Sequence, residues 1–197
     1  MREIFLGNDL EEIEKQIWQL LNDSVHSYKA PFHHGIIATI NEHFPEQRTV
    51  VLRNVILAKK ALCFHTDIRS KKIDDLTKNN SVSWLFYNDE LKLQLRIYAK
   101  AFIHHQDEFS ENAWSKARLQ SKLCYTTAAK SGNFIEIPEL IDLNRKDVSN
   151  ELLSFARENF CVIETQAHAL DFVFLNANGN KRGFFYYRHQ FSSWRQI

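Results

Sequence analysis

Leu91-Lys92-Leu93-Gln94-Leu95-Arg96-Ile97-Tyr98-Ala99-Lys100 alternates apolar and polar side chains without a break. Successive side chains of a β-strand point to opposite faces. Leu91, Leu93, Leu95, Ile97 and Ala99 therefore share one face, and Lys92, Gln94, Arg96, Tyr98 and Lys100 the other. The spacing predicts a long strand from Leu91 to His104 with one face turned to a core.

Working back from it, Asn88-Asp89-Glu90 is a tight turn and Val82 to Tyr87 a preceding strand. Ser70 can cap a short helix, Lys71 to Lys78, that turns Ile73 and Leu76 inward, and Asn79-Asn80 is a turn. Strands are expected over Phe32 to Ile40, Thr49 to Leu57 and Ala61 to Thr66. The connections His43-Phe44-Pro45-Glu46-Gln47 and Lys59-Lys60 are short, which favours antiparallel neighbours. Upstream, Asn8 and Asp9 can cap a helix running from about Leu10 to Ser27 and ended by Pro31, with Glu11 and Glu12 in its first turn.

Working forward, Asp107 to Arg118 and Val148 to Glu158 read as helices, and Leu119 to Pro138 has no clear period. Phe160 to Thr165, Asp171 to Asn176 and Gly183 to His189 read as strands, the last two joined by a hairpin turn at Asn178-Gly179-Asn180. The expectation is a mainly β (α+β) chain: a closed or nearly closed antiparallel barrel with flanking helices, as one domain over residues 1–197.

Composition agrees. The 197 residues are 44% apolar, with fifteen phenylalanines but only five glycines and three prolines, which suits long regular elements. A formal net charge of +1 gives no global case for nucleic acid. Cys63, Cys124 and Cys161 are odd in number and lack CxxC spacing, so neither a zinc site nor a disulfide framework is expected. The adjacent pairs His33-His34 and His104-His105 point to opposite strand faces and cannot chelate together. No apolar run suits a signal peptide or a membrane span, so a cytoplasmic protein is expected.

The chemistry lies in short polar stations at the ends of apolar strands. They read Arg48-Thr49-Val50-Val51-Leu52-Arg53, Phe64-His65-Thr66, Ser70-Lys71-Lys72 and Gln94-Leu95-Arg96. Taken singly, each has an ordinary explanation: an edge arginine pairing with Glu46 or Glu90, a solvated helix cap, a strand-end turn. Together they offer bidentate guanidinium forks, ammonium charge and hydroxyl donors, which suit a phosphate and a heteroaromatic ring.

In this order, and with Leu85-Phe86-Tyr87 between the third and fourth, the stations resemble the pyridoxamine 5'-phosphate oxidase family, the FMN-binding split barrels. The resemblance covers roughly Phe32 to Arg118. It implies an antiparallel split β-barrel and an FMN site. Arg48 and Lys72 would bind the FMN phosphate beside Ser70 and Lys71. The backbone of Val50, Val51 and Leu52, with Thr49 at its start, would run along the ring. His65 and Thr66 stand where the family places residues against the flavin, and Gln94 would hydrogen-bond the ring system. Arg53 stands where a basic residue faces the substrate. The resemblance also implies a homodimer with FMN at the subunit interface.

Departures fall on the substrate side. Trp114 stands in place of a tyrosine, Arg118 matches, and Ser121 matches with a one-residue shift, Lys122 being the unshifted residue. No Gln-Ser pair is visible around Ser131-Gly132, and Lys181-Arg182-Gly183-Phe184-Phe185 lacks the family's histidine and final arginine. The expectation is an FMN-dependent oxidoreductase acting on a small molecule, with Arg53, Trp114, Arg118 and Ser121 on the substrate side. The flavin would do the chemistry, so no catalytic side chain is named. Two other readings stay open: a non-catalytic module for flavin or another phosphorylated ligand, and a genuine pyridoxamine or pyridoxine 5'-phosphate oxidase.

Overall fold

In the computed structural model of the chain, which describes residues 7–177 and 179–197, the alternating stretch forms strand β6 (Leu93–His104). Leu93, Leu95, Ile97 and Ala99 are fully buried, while Gln94, Arg96 and Tyr98 face outward and remain partly accessible. β6 pairs antiparallel with β5 (Ser81–Asn88) on one side and β7 (Phe160–Phe174) on the other. Beyond β5 lie β1 (His34–Ile40) and β2 (Pro45–Val51); beyond β7 lie β4 (Ala61–Asp67) and β3 (Asn54–Ile56). β8 (Lys181–Tyr186) pairs with β7, and β9 (Phe191–Trp194) with β8.

β7 explains why the barrel is split. One edge lies along β6 for its whole length, with a register shift between Tyr98 and Ala99 that skips His168. Along the other edge, Phe160–Gln166 pairs with β4, and Ala169–Phe174 pairs with β8. The sheet forks there. The hydrogen-bonded order ends at β2 and β3, so the barrel expected as closed or nearly closed is the open form.

The chain itself spans that opening. Leu52 donates its N–H to the His33 carbonyl (2.8 Å) on the β1 side, and Arg53 donates its N–H to the Cys63 carbonyl (2.8 Å) on the β4 side. The single strand expected over Thr49 to Leu57 is for this reason two strands and a 3-10 turn.

Helix α1 (Leu10–Asp23) fills the inside. Asp9 caps it by accepting from the N–H groups of Glu11 and Glu12, a contact worth about 1 kcal/mol. Ile13, Ile17, Trp18 and Leu21 are buried with Phe32, Trp84, Phe86 and Phe172, each large side chain contributing about 1.5–3 kcal/mol. The helix stops at Asp23 rather than Ser27, because the Ser24 hydroxyl donates to the Leu20 carbonyl (2.7 Å) and the chain then turns toward β1. Trp84 and Phe86, two residues apart on one strand face, stack at 5.4 Å and 3°.

Helix α2 (Lys71–Lys78) follows β4; α3 (Glu108–Lys116) and α4 (Leu119–Leu123) follow β6; and α5 (Asn150–Asn159) leads into β7. Residues 124–149 are largely irregular. Of the expected Asn178-Gly179-Asn180 turn, Asn178 lies outside the described residues, and Gly179 adopts φ +123°, the region open to glycine. β7 is one strand where two were expected, and β9 was not foreseen. Among the described residues no helix is long and apolar enough to cross a membrane.

Candidate functional site

The end of β2, the end of β4 and the start of α2 meet around an open cleft of about 500 Å³. Arg48, Thr49, Val50, Val51, Arg53, His65, Thr66, Ser70, Lys71 and Lys72 all line it. Three stations separate in sequence thus share one wall.

The two central cations are held by neutral oxygens. Arg48 Nη1 donates to Thr39 Oγ1 (2.6 Å) and to the Glu46 carbonyl (2.9 Å). The Thr39 hydroxyl in turn donates to Asp75 Oδ2 (3.0 Å) on α2. Lys72 Nζ donates to Thr66 Oγ1 (2.9 Å) and Ser70 Oγ (3.0 Å). The Ser70 hydroxyl donates to the Asp67 carbonyl (2.7 Å), so it orients Lys72 rather than capping the helix it precedes. Among the described residues, neither Arg48 nor Lys72 has a carboxylate within ion-pair distance. Lys71 differs: it pairs with Glu46 (3.3 Å) at the solvent edge, where such contacts are worth little.

This arrangement is electrostatically unfinished. Burial pulls the Lys72 ammonium below its usual range, and the nearby Arg48 guanidinium pulls it further. Burial likewise lowers Arg48, with Asp75 and Glu46 partly offsetting it. Two half-desolvated cations side by side, ringed by hydroxyls, gain most from an anion carrying several oxygens.

A second cavity of about 1020 Å³ adjoins the cleft, and Arg53 and His65 border both. Arg118 and Ser121, expected substrate-side residues, line it, together with His26, His33 and Lys116; among the described residues no Asp or Glu does. Arg53 is exposed and, among the described residues, makes no ion pair. Its charge and burial together hold His65 down to about 4, burial being the larger cause, so this imidazole is neutral at ordinary pH. The His65 ring meets Phe160 edge-on at 4.9 Å.

Three expected residues stand apart within the chain. Leu52 is fully buried and its N–H is already committed to His33. Gln94 lies on the outer sheet face, opposite Tyr87 and Val173, and borders neither cavity. Trp114 packs on Phe160 (5.2 Å) under Lys122, whose Nζ lies 5.1 Å from its ring centre, and lines neither cavity.

Sequence reasoning missed the Thr39–Asp75 brace and the cleft-lining Tyr125 and Ser131. Tyr125 meets Phe160 edge-on at 5.2 Å, and burial raises its hydroxyl above the usual range. Both Tyr125 and Ser131 come from the aperiodic region after α4, where no pattern marks them. Arg69 ties that region down. It pairs with Asp67 (2.7 Å) and donates to the Thr127 carbonyl (3.0 Å).

Comparison with known proteins agrees with this geometry. Residues 15–105 match the model of the pyridoxamine 5'-phosphate oxidase, FMN-binding domain family. No sequence among the curated proteins matches the chain. Among solved structures, it is similar to a pyridoxamine 5'-phosphate oxidase-related, FMN binding protein from Nostoc punctiforme, at 17% identity and TM-score 0.68 over 98% of this chain and 99% of that one. It is similar to PhzG from Burkholderia lata, solved in complex with tetrahydrophenazine-1-carboxylic acid, at 16% identity and TM-score 0.66 over 100% and 96%. A general stress protein 26-related protein of the pyridoxinephosphate oxidase family from Clostridium acetobutylicum follows at 13% identity and TM-score 0.57 over 90% and 99%. At these identities the structures speak for the fold, and the matched residues for the family. The chain is thus matched over residues 15–105 by the pyridoxamine 5'-phosphate oxidase, FMN-binding domain family, and over nearly its whole length it has the split-barrel fold of these structures.

Proposed function

We propose that the protein binds FMN in the cleft and acts as a flavin-dependent oxidoreductase on a small anionic substrate taken into the adjoining cavity. The observation that carries this reading is the Arg48–Lys72 pair, two cations held by hydroxyl and carbonyl oxygens and lacking a carboxylate partner among the described residues. A phosphate dianion matches their charge. Among the described residues, Glu46 is the one acid that lines the cleft, and it is engaged by Lys71.

Arg48 and Lys72 would hold the phosphate, with Thr66, Ser70 and Lys71 beside them; Thr49 to Arg53, His65 and Gln94 would serve the rest of the cofactor. Bound FMN supplies the redox chemistry at its ring. The chain's own residues bind and orient. Arg53, Arg118 and Ser121 would hold an anionic group of the substrate, a role favoured by a cavity lined, among the described residues, by several basic side chains and no acid. His65 adds no charge there and is left to donate or accept a hydrogen bond.

Gln94 supports a homodimer. It sits on the outer face of β6, outside its own protomer's cleft. It reaches a flavin only if that face covers the cleft of a second copy. The test is anaerobic: FMN-loaded protein is reduced with NAD(P)H or dithionite and mixed with a panel of small carboxylates and phosphates. Substrate-dependent reoxidation supports the oxidoreductase reading. A bound flavin that no partner reoxidises or reduces favours a non-catalytic module.

A further inference from the structure

Glu46 lies on β2, the last strand of the hydrogen-bonded order, opposite Thr39 of β1. Its backbone and its side chain do different things. The backbone carbonyl accepts from Arg48 Nη1 (2.9 Å) and belongs to the scaffold of the cation pair. The carboxylate Oε1 accepts from Lys71 Nζ (3.3 Å), at the first position of α2. The two side chains are 38% and 66% exposed, so this bridge from strand to helix marks the solvent edge of the cleft.

Arg48, Arg53, Lys71 and Lys72 line the cleft, and among the described residues Glu46 is the one acid facing them. An ion pair this exposed adds little to stability. Stability therefore does not account for a negative charge in a wall otherwise suited to an anion. The charge also acts inward: burial lowers Arg48, and Glu46, after Asp75, offsets that. Further in, Arg48 and Lys72 are half-buried and held by neutral oxygens. The cleft thus has a cationic interior and an edge whose cation is already neutralised. A terminal phosphate uses the interior alone. A phosphate joined to a second one sets the second charge at the edge, where Lys71 is taken and the Glu46 carboxylate repels it. Repulsion of the wrong ligand is a standard source of selectivity.

We infer, on top of the flavin reading and resting on it, that Glu46 is a specificity-determining residue: it selects a ligand that ends in a phosphate monoester over one whose phosphate is linked to a second phosphate. Glu46 touches no part of the ring site in this role. It acts through Lys71, which it withholds from any group reaching past the interior cations.

The test is isothermal titration of the full chain, wild type and Glu46→Gln, with FMN and with FAD as probes. The substitution removes the charge and keeps the carbonyl that holds Arg48. Wild type should prefer FMN. In Glu46→Gln that preference should shrink roughly fivefold at about 0.01 M salt, and the two chains should converge at about 1 M, where the Debye length falls from about 30 Å to about 3 Å. With FMN bound by wild type, three results overturn the inference and leave the flavin reading standing: an unchanged preference, a shift of the same size at both salt concentrations, or FAD bound by neither chain. The salt comparison separates a charge effect from a structural one, which screening would not move. A wild-type chain that binds neither flavin overturns the flavin reading and this inference with it.

Discussion

Lys72 Nζ lies 2.9 Å from the Thr66 hydroxyl, and this contact joins the end of β4 to the first turn of α2. Two residues six apart in sequence thereby fix an ammonium at the head of a helix, where first-turn N–H groups also favour negative charge. The cation is aimed rather than neutralised. That distinction separates a ligand site from a structural ion pair, and it yields the first prediction. Lys72→Met keeps the aliphatic stem and removes the charge. It should weaken FMN binding roughly 10- to 100-fold, the equivalent of about 1.5–3 kcal/mol for one charge-assisted hydrogen bond. Titration of apoprotein with FMN, followed by flavin fluorescence, measures it.

His65 should make folding stability depend on pH. Its folded value is depressed to about 4, against about 6.5 for an exposed imidazole. Between those limits the unfolded chain takes up a proton that the folded chain refuses. The contribution is present above pH 6.5 and is lost as pH falls toward 4. It amounts to something on the order of 3 kcal/mol. Urea titrations of apoprotein at pH 7.5 and 4.5, in wild type and His65→Phe, isolate it: the variant should lose distinctly less stability on acidification.

Gly35 is where the packing tolerates no side chain. A Cβ there would sit 2.5 Å from Phe86 Cε1 and 2.9 Å from Trp84 Cε3, both in rings buried in the core. Gly35→Ala should cost about 1–3 kcal/mol, lowering the melting temperature by roughly 2–12 °C for a chain of this size. Phe86→Leu in the same chain opens space and should return part of that loss. An additive double variant in thermal unfolding would mean that the clash is not the cause.

The three thiols should separate cleanly. Cys124 is exposed, while Cys63 and Cys161 are buried. Burial pushes both buried thiols up to about 12, leaving almost no thiolate at pH 8. A disulfide-exchange reagent at pH 8 should modify one thiol per native chain quickly and the other two only after denaturant is added.

Sequence reading succeeded where the signal is local. The Leu93 to Ala99 alternation predicts the buried face of β6, and Asp9 with Glu11 and Glu12 predicts the start of α1. It failed where partners are distant. Thr49 to Leu57 is nearly continuous Val, Leu and Ile, broken by Arg53 and Asn54, and nothing in it shows that Leu52 and Arg53 donate to opposite edges of the opening. The middle of β7, Ala167-His168-Ala169, lacks strand-forming side chains, yet pairing with β6, β4 and β8 keeps it extended. The polar stations were visible as residue types, and a resemblance gave them order. The brace from Arg48 through Thr39 to Asp75 links strands and a helix across 36 positions and leaves no periodic trace.

The most direct test of the account is the visible absorbance spectrum of the purified protein, taken before and after incubation with FMN and desalting. The account predicts flavin bands retained at about one FMN per chain in wild type, and their loss when Arg48 and Lys72 are both replaced by glutamate in a chain that still folds. A wild-type protein that stays colourless after FMN is added and removed, or a charge-reversed variant that retains flavin as well as wild type, would contradict it.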